Sequence, residues 1–451
     1  MNIGLALLGV PIDNVTMDEA LDRMEGFIRE RKFHQIATAN INYLSNAVRD
    51  AEYRRILCLC DLVLADGMPL VWASRMFGVR LRERVTGADL VPRLAALSSR
   101  KGYRIFLLGA KPKVSTAAAA RLGELFPGVQ IAGRLSPPER PLEEFDNEQI
   151  LREIELADPD ILLVAFGSPK QEKWLYRNRG RLRVPVCVGV GGTLDFLANV
   201  IPRAPSWVQR AGMEWAFRIW AEPRRLARRY LSDALCMAGP LSVQLAASLT
   251  TRRKTTAFAL ALDRIGSINV LSVSGAMAGT NLAKLETVAS SLANRGGQIV
   301  LELSAVTFIG ADGIRTLANL LRDFGGSGRQ LCLAGLTPAL VRNLRASCFD
   351  GLVHSVPSVM DAIRKASHGC LQLNLELGEG WASCRINGEI PPHMRGTLED
   401  ICRRVMDVTE HFELDSSGAP DFDSSHLATC TASGSRVVFI DSPRAPAAGA
   451  A

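Results

Sequence analysis

At 451 residues the chain is long enough for two to four domains, each with its own core. With 47% apolar and 22% charged residues it is close to an ordinary soluble protein, and no apolar run reaches the 18 residues that argue for a membrane-spanning helix. The formal charge of +7 is modest, but between Arg203 and Lys254 ten Lys or Arg stand against three Asp or Glu, a patch that attracts phosphates.

The N-terminus, MNIGLALLGVPIDN, has no basic region ahead of its apolar stretch and so does not read as a signal peptide. Ten cysteines form no CxxC pair and no Cys/His spacing suited to zinc, so they are expected to be reduced core thiols in a cytoplasmic protein, with no metal site.

Through the first 200 residues short branched apolar runs alternate with helical patterns. Strands are predicted at Gln35–Asn40, Leu62–Asp66, Arg104–Ala110, Val129–Gly133, Ile161–Gly167 and Val186–Gly191, with amphipathic helices such as Met17–Glu30 and Ala88–Ser99 between them. This alternation predicts a Rossmann-like parallel sheet with helices on both faces. Ligands bind beyond the carboxyl ends of such strands. The exits read TAN, ADG, LGA, AFGSPKQE and GVGGT, so glycines and small polar residues collect where a backbone would approach phosphate and sugar. Asp66 lies on that edge, although ADG alone reads equally well as a turn before a helix. The DPD at Asp158 and Asp160 precedes its strand, so it belongs to the opposite edge despite its likeness to the DxD of metal-using sugar transferases.

From Ile201 to Leu231 Trp, Phe and Tyr mix with Arg at helical spacing, broken by Pro205 and Pro223. This segment reads either as a helical hairpin packed on the domain or as a basic, aromatic surface for an anionic membrane and a lipid diphosphate. Met237 to Lys254 looks like a linker. A new α/β pattern begins at Ile265. Gly275 followed by LELSAVTFIGAD and Gly388 followed by LDSSGAPDFDSS stand at a constant 113-residue offset, which argues for an internal duplication whose second copy is degenerate and truncated. The Pro/Ala-rich tail is expected to be disordered. The expected division is 1–200 catalytic, 201–236 appendage, 237–262 linker, 263–366 first α/β module, 369–442 degenerate repeat and 443–451 tail.

The motifs GVPIDNVTMDEAL, TANINYL, ADGMP, RVTGADLVP, LLGA, GSPKQEKWL, GVGGTLDF, RAPSW and EW..R...EP.R..R.YL, in that order, resemble the WecG/TagA/CpsF family of bacterial glycosyltransferases. The resemblance implies an inverting, metal-independent transfer of a sugar from a UDP donor to a polyprenyl-diphosphate-linked sugar at the inner membrane face, in cell-surface polysaccharide synthesis. It makes Asp66 the general base, and a free carboxylate of pKa about 3.9 would be ionised without tuning. By the same resemblance Thr38 and Asn40 meet donor sugar or acceptor hydroxyls, and Arg84 and Asp89 lie near the cleft, Asp89 reading equally as a helix cap. The helix start at Gln171 and Glu172 meets phosphate or ribose after the turn at Gly167. Gly109, Gly189, Gly191 and Gly192, supported by Asp195, allow close backbone approach to the uridine diphosphate. Trp174 is expected in the core. Arg218, Arg225 and Arg228 fold over the leaving diphosphate, and Arg224 and Arg229 face lipid headgroups.

The second half resembles STAS domains, the fold of anti-sigma factor antagonists. Asp312 stands where those domains carry a phosphorylated Ser, and Ser425 keeps a Ser in the second copy, so both are candidate regulatory positions. An interaction partner for this module is implied. The competing reading is a retired catalyst acting as a STAS-mediated scaffold. A nucleotide-binding dehydrogenase is excluded by the missing glycine fingerprint.

Overall fold

The six runs marked as strands all form and pair into one sheet. The computed structural model describes residues 4–251 apart from 202, 211 and 222. It also describes 257–440 apart from 266–267, 296–297, 326–330, 351, 353, 367–371, 379–380, 388–394, 409–410 and 419–435. The chain starts with an antiparallel hairpin, β1 (Leu5–Leu7) and β2 (Val10–Ile12), which the sequence reading missed. Then come α1 (Met17–Glu30), β3 (His34–Ala39), α2 (Ile41–Arg49), α3 (Ala51–Leu59), β4 (Leu62–Ala65), α4 (Met68–Met76), α5 (Gly87–Lys101) and β5 (Arg104–Gly109). The domain continues with α6 (Pro112–Leu125), β6 (Gln130–Leu135), α7 (Asn147–Ala157), β7 (Ile161–Ala165), α8 (Lys170–Asn178), β8 (Val186–Gly189) and α9 (Thr193–Leu197).

The sheet order is β4-β3-β8-β7-β5-β6 and every pair is parallel. Because helices cover both faces, alternate strand residues enter different cores, which is why the strands read as unbroken apolar runs. Leu62 and Leu64 pack with Met24 and Leu94 on one face. Val63 and Ala65 pack with Tyr43, Leu57 and the β1–β2 hairpin on the other. The helix α1 is set by a capping box, Thr16 and Glu19, and buries Met17, Ala20, Met24 and Ile28 at helical spacing.

Three further helices complete the first half: α10 (Ser206–Arg210), α11 (Glu214–Ala221) and α12 (Pro223–Thr251). The linker expected at 237–262 is therefore corrected, since α12 runs on to Thr251 with Pro240 inside it. The cause is tertiary. Leu226, Met237 and Gln244 are buried along one face of α12. Gln244 accepts from Leu8 N and donates to Ala6 O, both at 3.0 Å, and so satisfies the outer edge of the hairpin.

The second half begins with β9 (Ala259–Ile265), β10 (Ile268–Met277), α13 (Leu282–Arg295), β11 (Gln298–Glu302), β12 (Val306–Ile309) and α14 (Ala311–Gly325). It closes with β13 (Leu331–Ala334), α15 (Pro338–Ala346), β14 (His354–Val356) and α16 (Val359–Ala366). The sheet runs β12-β10-β11-β13-β14, with β9 antiparallel on β10. After it stand β15 (Gln372–Gly378), β16 (Trp381–Asn387), α17 (Arg395–Val408), β17 (His411–Gly418) and β18 (Arg436–Ile440). The bounds of β9 and α13 recur 113 residues later as those of β15 and α17, and the first residues of β10 and β11 recur as those of β16 and β17. The pairing repeats as well: an antiparallel hairpin, a helix, then a parallel strand. Ser within β17 does not prevent the strand from forming. Ser425 lies outside the described residues.

Candidate active site

The carboxyl ends of β3, β4, β7 and β8 open on a cleft of about 470 Å3, covered from the side by α11 and α12. Its size is within the usual range for small-molecule sites, roughly 300–1,000 Å3. Asp66 follows β4 directly and is fixed by its own N–H, which donates to Ala39 O at 2.7 Å. Gly67 then takes φ 142° and ψ 138°, which a side chain would strain, and Met68 and Pro69 start α4. The turn leaves the half-buried Asp66 carboxylate lining the cleft.

Burial pushes the Asp66 carboxyl up to about 7. The nearby Arg218 and Arg84 and the Gly87 N–H, which donates to it at the start of α5, pull the other way, while Glu214 adds to the rise. This corrects the expectation of an ordinary carboxylate that needs no tuning. The group is instead poised near neutrality.

Thr38, at the end of β3, is buried and donates from Oγ1 to Gly189 O at 2.9 Å while lining the cleft. Asn40 is the N-cap of α2: its Oδ1 accepts from Asn42 N and Tyr43 N at 3.0 and 3.4 Å, so its amide nitrogen is what remains to meet a ligand. Arg84 reaches the cleft but is held in a ring of charges. It bonds Glu214 at 3.0 Å and lies 3.8 Å from Asp89, while Arg203 joins the same two carboxylates. Asp89 is therefore an anchor rather than a lining residue, with Thr86 as the cap of α5. Sequence reasoning assigned no role to Glu214 or Arg203, although Glu214 and Arg218 stand four apart in a quoted motif and share a helix face.

The helix start at Gln171 and Glu172 differs from expectation. Glu172 is fully buried and accepts from Tyr43 OH at 2.6 Å, Gln171 Nε2 at 2.7 Å and Tyr53 OH at 3.4 Å. Burial raises its pKa and these donors oppose the rise. It braces the site from behind and does not line the cleft. Gln171 does line it, and its Oε1 accepts from Gly191 N at 3.0 Å, setting the turn after β8. A Cβ on Gly189 would stand 2.5 Å from Gln171 Nε2, so this glycine serves packing rather than ligand approach. Gly109 likewise packs on the Ala165 carbonyl, away from the cleft. Gly167, Gly191, Gly192 and Asp195 line it. Trp174 is in the core, as expected.

In the appendage, Arg218 lies over the Phe196 ring, 5.0 Å from its centroid, and lines the cleft with Trp215, Arg229, Tyr230 and Asp233. The placement of Arg228 and Arg229 differs from expectation: Arg229 lines the cleft and Arg228 is exposed outside it. Adjacent positions on a helix point about 100° apart, so only one of the two can face inward. The side chains of Arg224 and Arg225 lie outside the described residues. Asp158 caps the end of α7 and Asp160 binds Arg104 N at the amino edge, so the DPD is remote from the site. Among the described residues no group of three His, Cys, Asp or Glu is placed to hold a metal. In the second half, Asp312 lies within the first turn of α14 and accepts from Gly279 N at 2.6 Å and Gly313 N at 3.0 Å, tying the start of α14 to the turn after β10.

A parallel sheet that gathers a carboxylate, glycine turns and arginines at its carboxyl edge defines an α/β protein with a ligand cleft at that edge. The profile of the glycosyl transferase WecG/TagA/CpsF family matches residues 5–251, more than half of the chain, and the protein belongs to that family. A STAS domain profile matches residues 259–362. An N-acetylglucosaminyldiphosphoundecaprenol N-acetyl-beta-D-mannosaminyltransferase of Bacillus subtilis (strain 168) is 30% identical over 220 residues, 49% of this chain and 84% of that one. One of the same name from Bacillus spizizenii is 32% identical over 206 residues, covering 46% and 78%. The solved structure of the anti-sigma factor antagonist SpoIIAA in its unphosphorylated form aligns with 24% of this chain and 96% of its own, at 14% identity and a TM-score of 0.22.

Proposed function

We propose that the protein transfers a hexose, of the N-acetylmannosamine type or a related one, from a UDP-sugar to a polyprenyl-diphosphate-linked sugar, with inversion and without a metal. The observation that carries this reading is Asp66: a carboxylate poised near 7, at the end of a strand, between glycine turns and arginines. Ionised Asp66 takes the proton from the acceptor hydroxyl as that oxygen bonds to the anomeric carbon. The bond from that carbon to the diphosphate oxygen breaks, and its electron pair leaves with UDP. Arg218 and Arg229, with Arg84 at the rim, offset the charge that builds on the leaving group.

The same reading places the appendage at an anionic bilayer surface. Support comes from Trp207, Trp220, Leu231 and Leu235, which are 68%, 77%, 62% and 71% exposed beside the basic stretch. No described helix is long and apolar enough to cross a membrane. The STAS domain would then tether or regulate the enzyme through a partner.

The test is UDP release by the full chain with a panel of UDP-sugars, a diphosphate-linked lipid acceptor in liposomes, and EDTA. Acceptor-dependent release that survives EDTA and vanishes in Asp66→Asn is expected. Silence across the panel from a folded, liposome-bound protein would overturn the enzymatic reading in favour of a STAS-centred scaffold.

A further inference from the structure

The strand that leads into Asp66, β4, is an edge strand of its sheet, so its outer backbone groups need partners from elsewhere. Asp13 supplies them at Val63. Its Oδ2 accepts from Val63 N and its own N–H donates to Val63 O, both at 2.8 Å. Asp13 is a buried carboxylate with a side chain only 5% exposed, and such a charge is tolerated where it is paired. Its buried partner is Arg315, on α14 of the STAS domain, whose side chain is 8% exposed. Arg23, 3.4 Å away, is half exposed.

Seven residues further along, two turns of α14 and so the same face, Arg322 donates to Cys60 O at 3.4 Å and Asp61 O at 3.2 Å, the two residues that precede β4. One helix of the second domain thus holds both the entry and the middle of the strand that leads into Asp66.

We infer that α14 is the outer brace of the catalytic strand, and that Arg315, acting through Asp13, and Arg322, acting on the Cys60 and Asp61 carbonyls, are positioning residues for Asp66. The STAS domain is in this respect a structural part of the transferase site and not only a tether. The inference rests on the reading of Asp66 as the base. Arg315→Met leaves Asp13 with the half-exposed Arg23 and the charge of Arg322, without its buried partner, so the hold on Val63 loosens. A small misplacement of a reacting group is enough to slow a transfer by one to two orders of magnitude.

The test uses full-length Arg315→Met, Arg315→Lys, Arg322→Met and the double Met variant, below their melting temperatures. Two readouts are taken: kcat and KM for UDP release, and amide hydrogen exchange over residues 60–66. A fall in kcat of about tenfold with KM near the native value is expected in Arg315→Met. Faster exchange at the Val63 amide should accompany it, with most of both effects restored by Arg315→Lys and a smaller effect from Arg322→Met. Native kcat in the folded double variant would overturn the inference, as would slowed turnover with unchanged exchange across β4. If the wild-type chain releases UDP from none of the donors, the reading of the site has failed, and the exchange arm still decides whether α14 braces β4.

Discussion

Asp66 shows how much a single position can hide in a sequence. Its place at a strand exit is legible from ADG, because strand period and turn chemistry are local properties. Its ionisation is not, because it is set by burial and by groups, Arg218, Glu214, Gly87 and Arg84, that come from two other segments of the chain. In the proposed role of base Asp66 must be ionised to accept a proton, so kcat/KM should rise as pH passes through about 7 and level above it, where an ordinary carboxylate would give a flat profile from pH 5 upward. Glu214 raises the Asp66 pKa by its charge and also occupies Arg84 and Arg203. Glu214→Gln removes the charge and releases both cations, and the two changes act in the same direction. The limb of the pH profile should move to lower pH in that variant, while a limb that stays near 7 would assign the titration to another group.

At the scale of elements, the central strands were readable because helices bury them on both faces, which makes each an apolar run bounded by glycine or polar residues. The β1–β2 hairpin was not, since its strands are three residues each and its turn uses Leu8 and Gly9 at φ 49° and 79°, a conformation that Leu does not advertise. The second half of α12 was missed for the opposite reason. Gly239 and Pro240 signal irregular chain, yet packing against α2 and α15 and the Gln244 bonds to the hairpin hold the helix. The phase of that helix decides which arginine reaches the cleft. Arg229 faces the cleft and Arg228 does not. On a soluble acceptor analogue, Arg229→Ala should lower kcat/KM by about ten- to a hundredfold, the loss of a charge-assisted contact of roughly 1.5–3 kcal/mol. Arg228→Ala should leave it within about twofold and weaken liposome binding instead. Equal losses of turnover would put the phase of α12 in error.

At the scale of the molecule, the cores of the two named domains meet in shared apolar clusters. Ala6 and Cys58 of the transferase pack in the cluster built from Leu271, Leu317 and Leu321 of the STAS domain, and Ala311 of α14 packs among the hairpin and β4 residues. The repeat of hairpin, helix and strand at 113 residues was visible in the sequence because it is a regular offset, but nothing local announces that α14 should close against β1 and α3. Contacts across some 250 positions leave no periodic trace. An interface made of shared apolar clusters and the buried Asp13–Arg315 pair couples the unfolding of its two sides. The full chain should therefore give one calorimetric transition for the transferase and STAS cores together. Asp13→Ala strips Arg315 of its buried partner and Val63 of its acceptor, a loss of about 3–5 kcal/mol, and should lower that whole transition rather than split it. Two endotherms, with only the first moved by Asp13→Ala, would mean that the STAS core melts on its own and that α14 lies against the transferase without stabilising it.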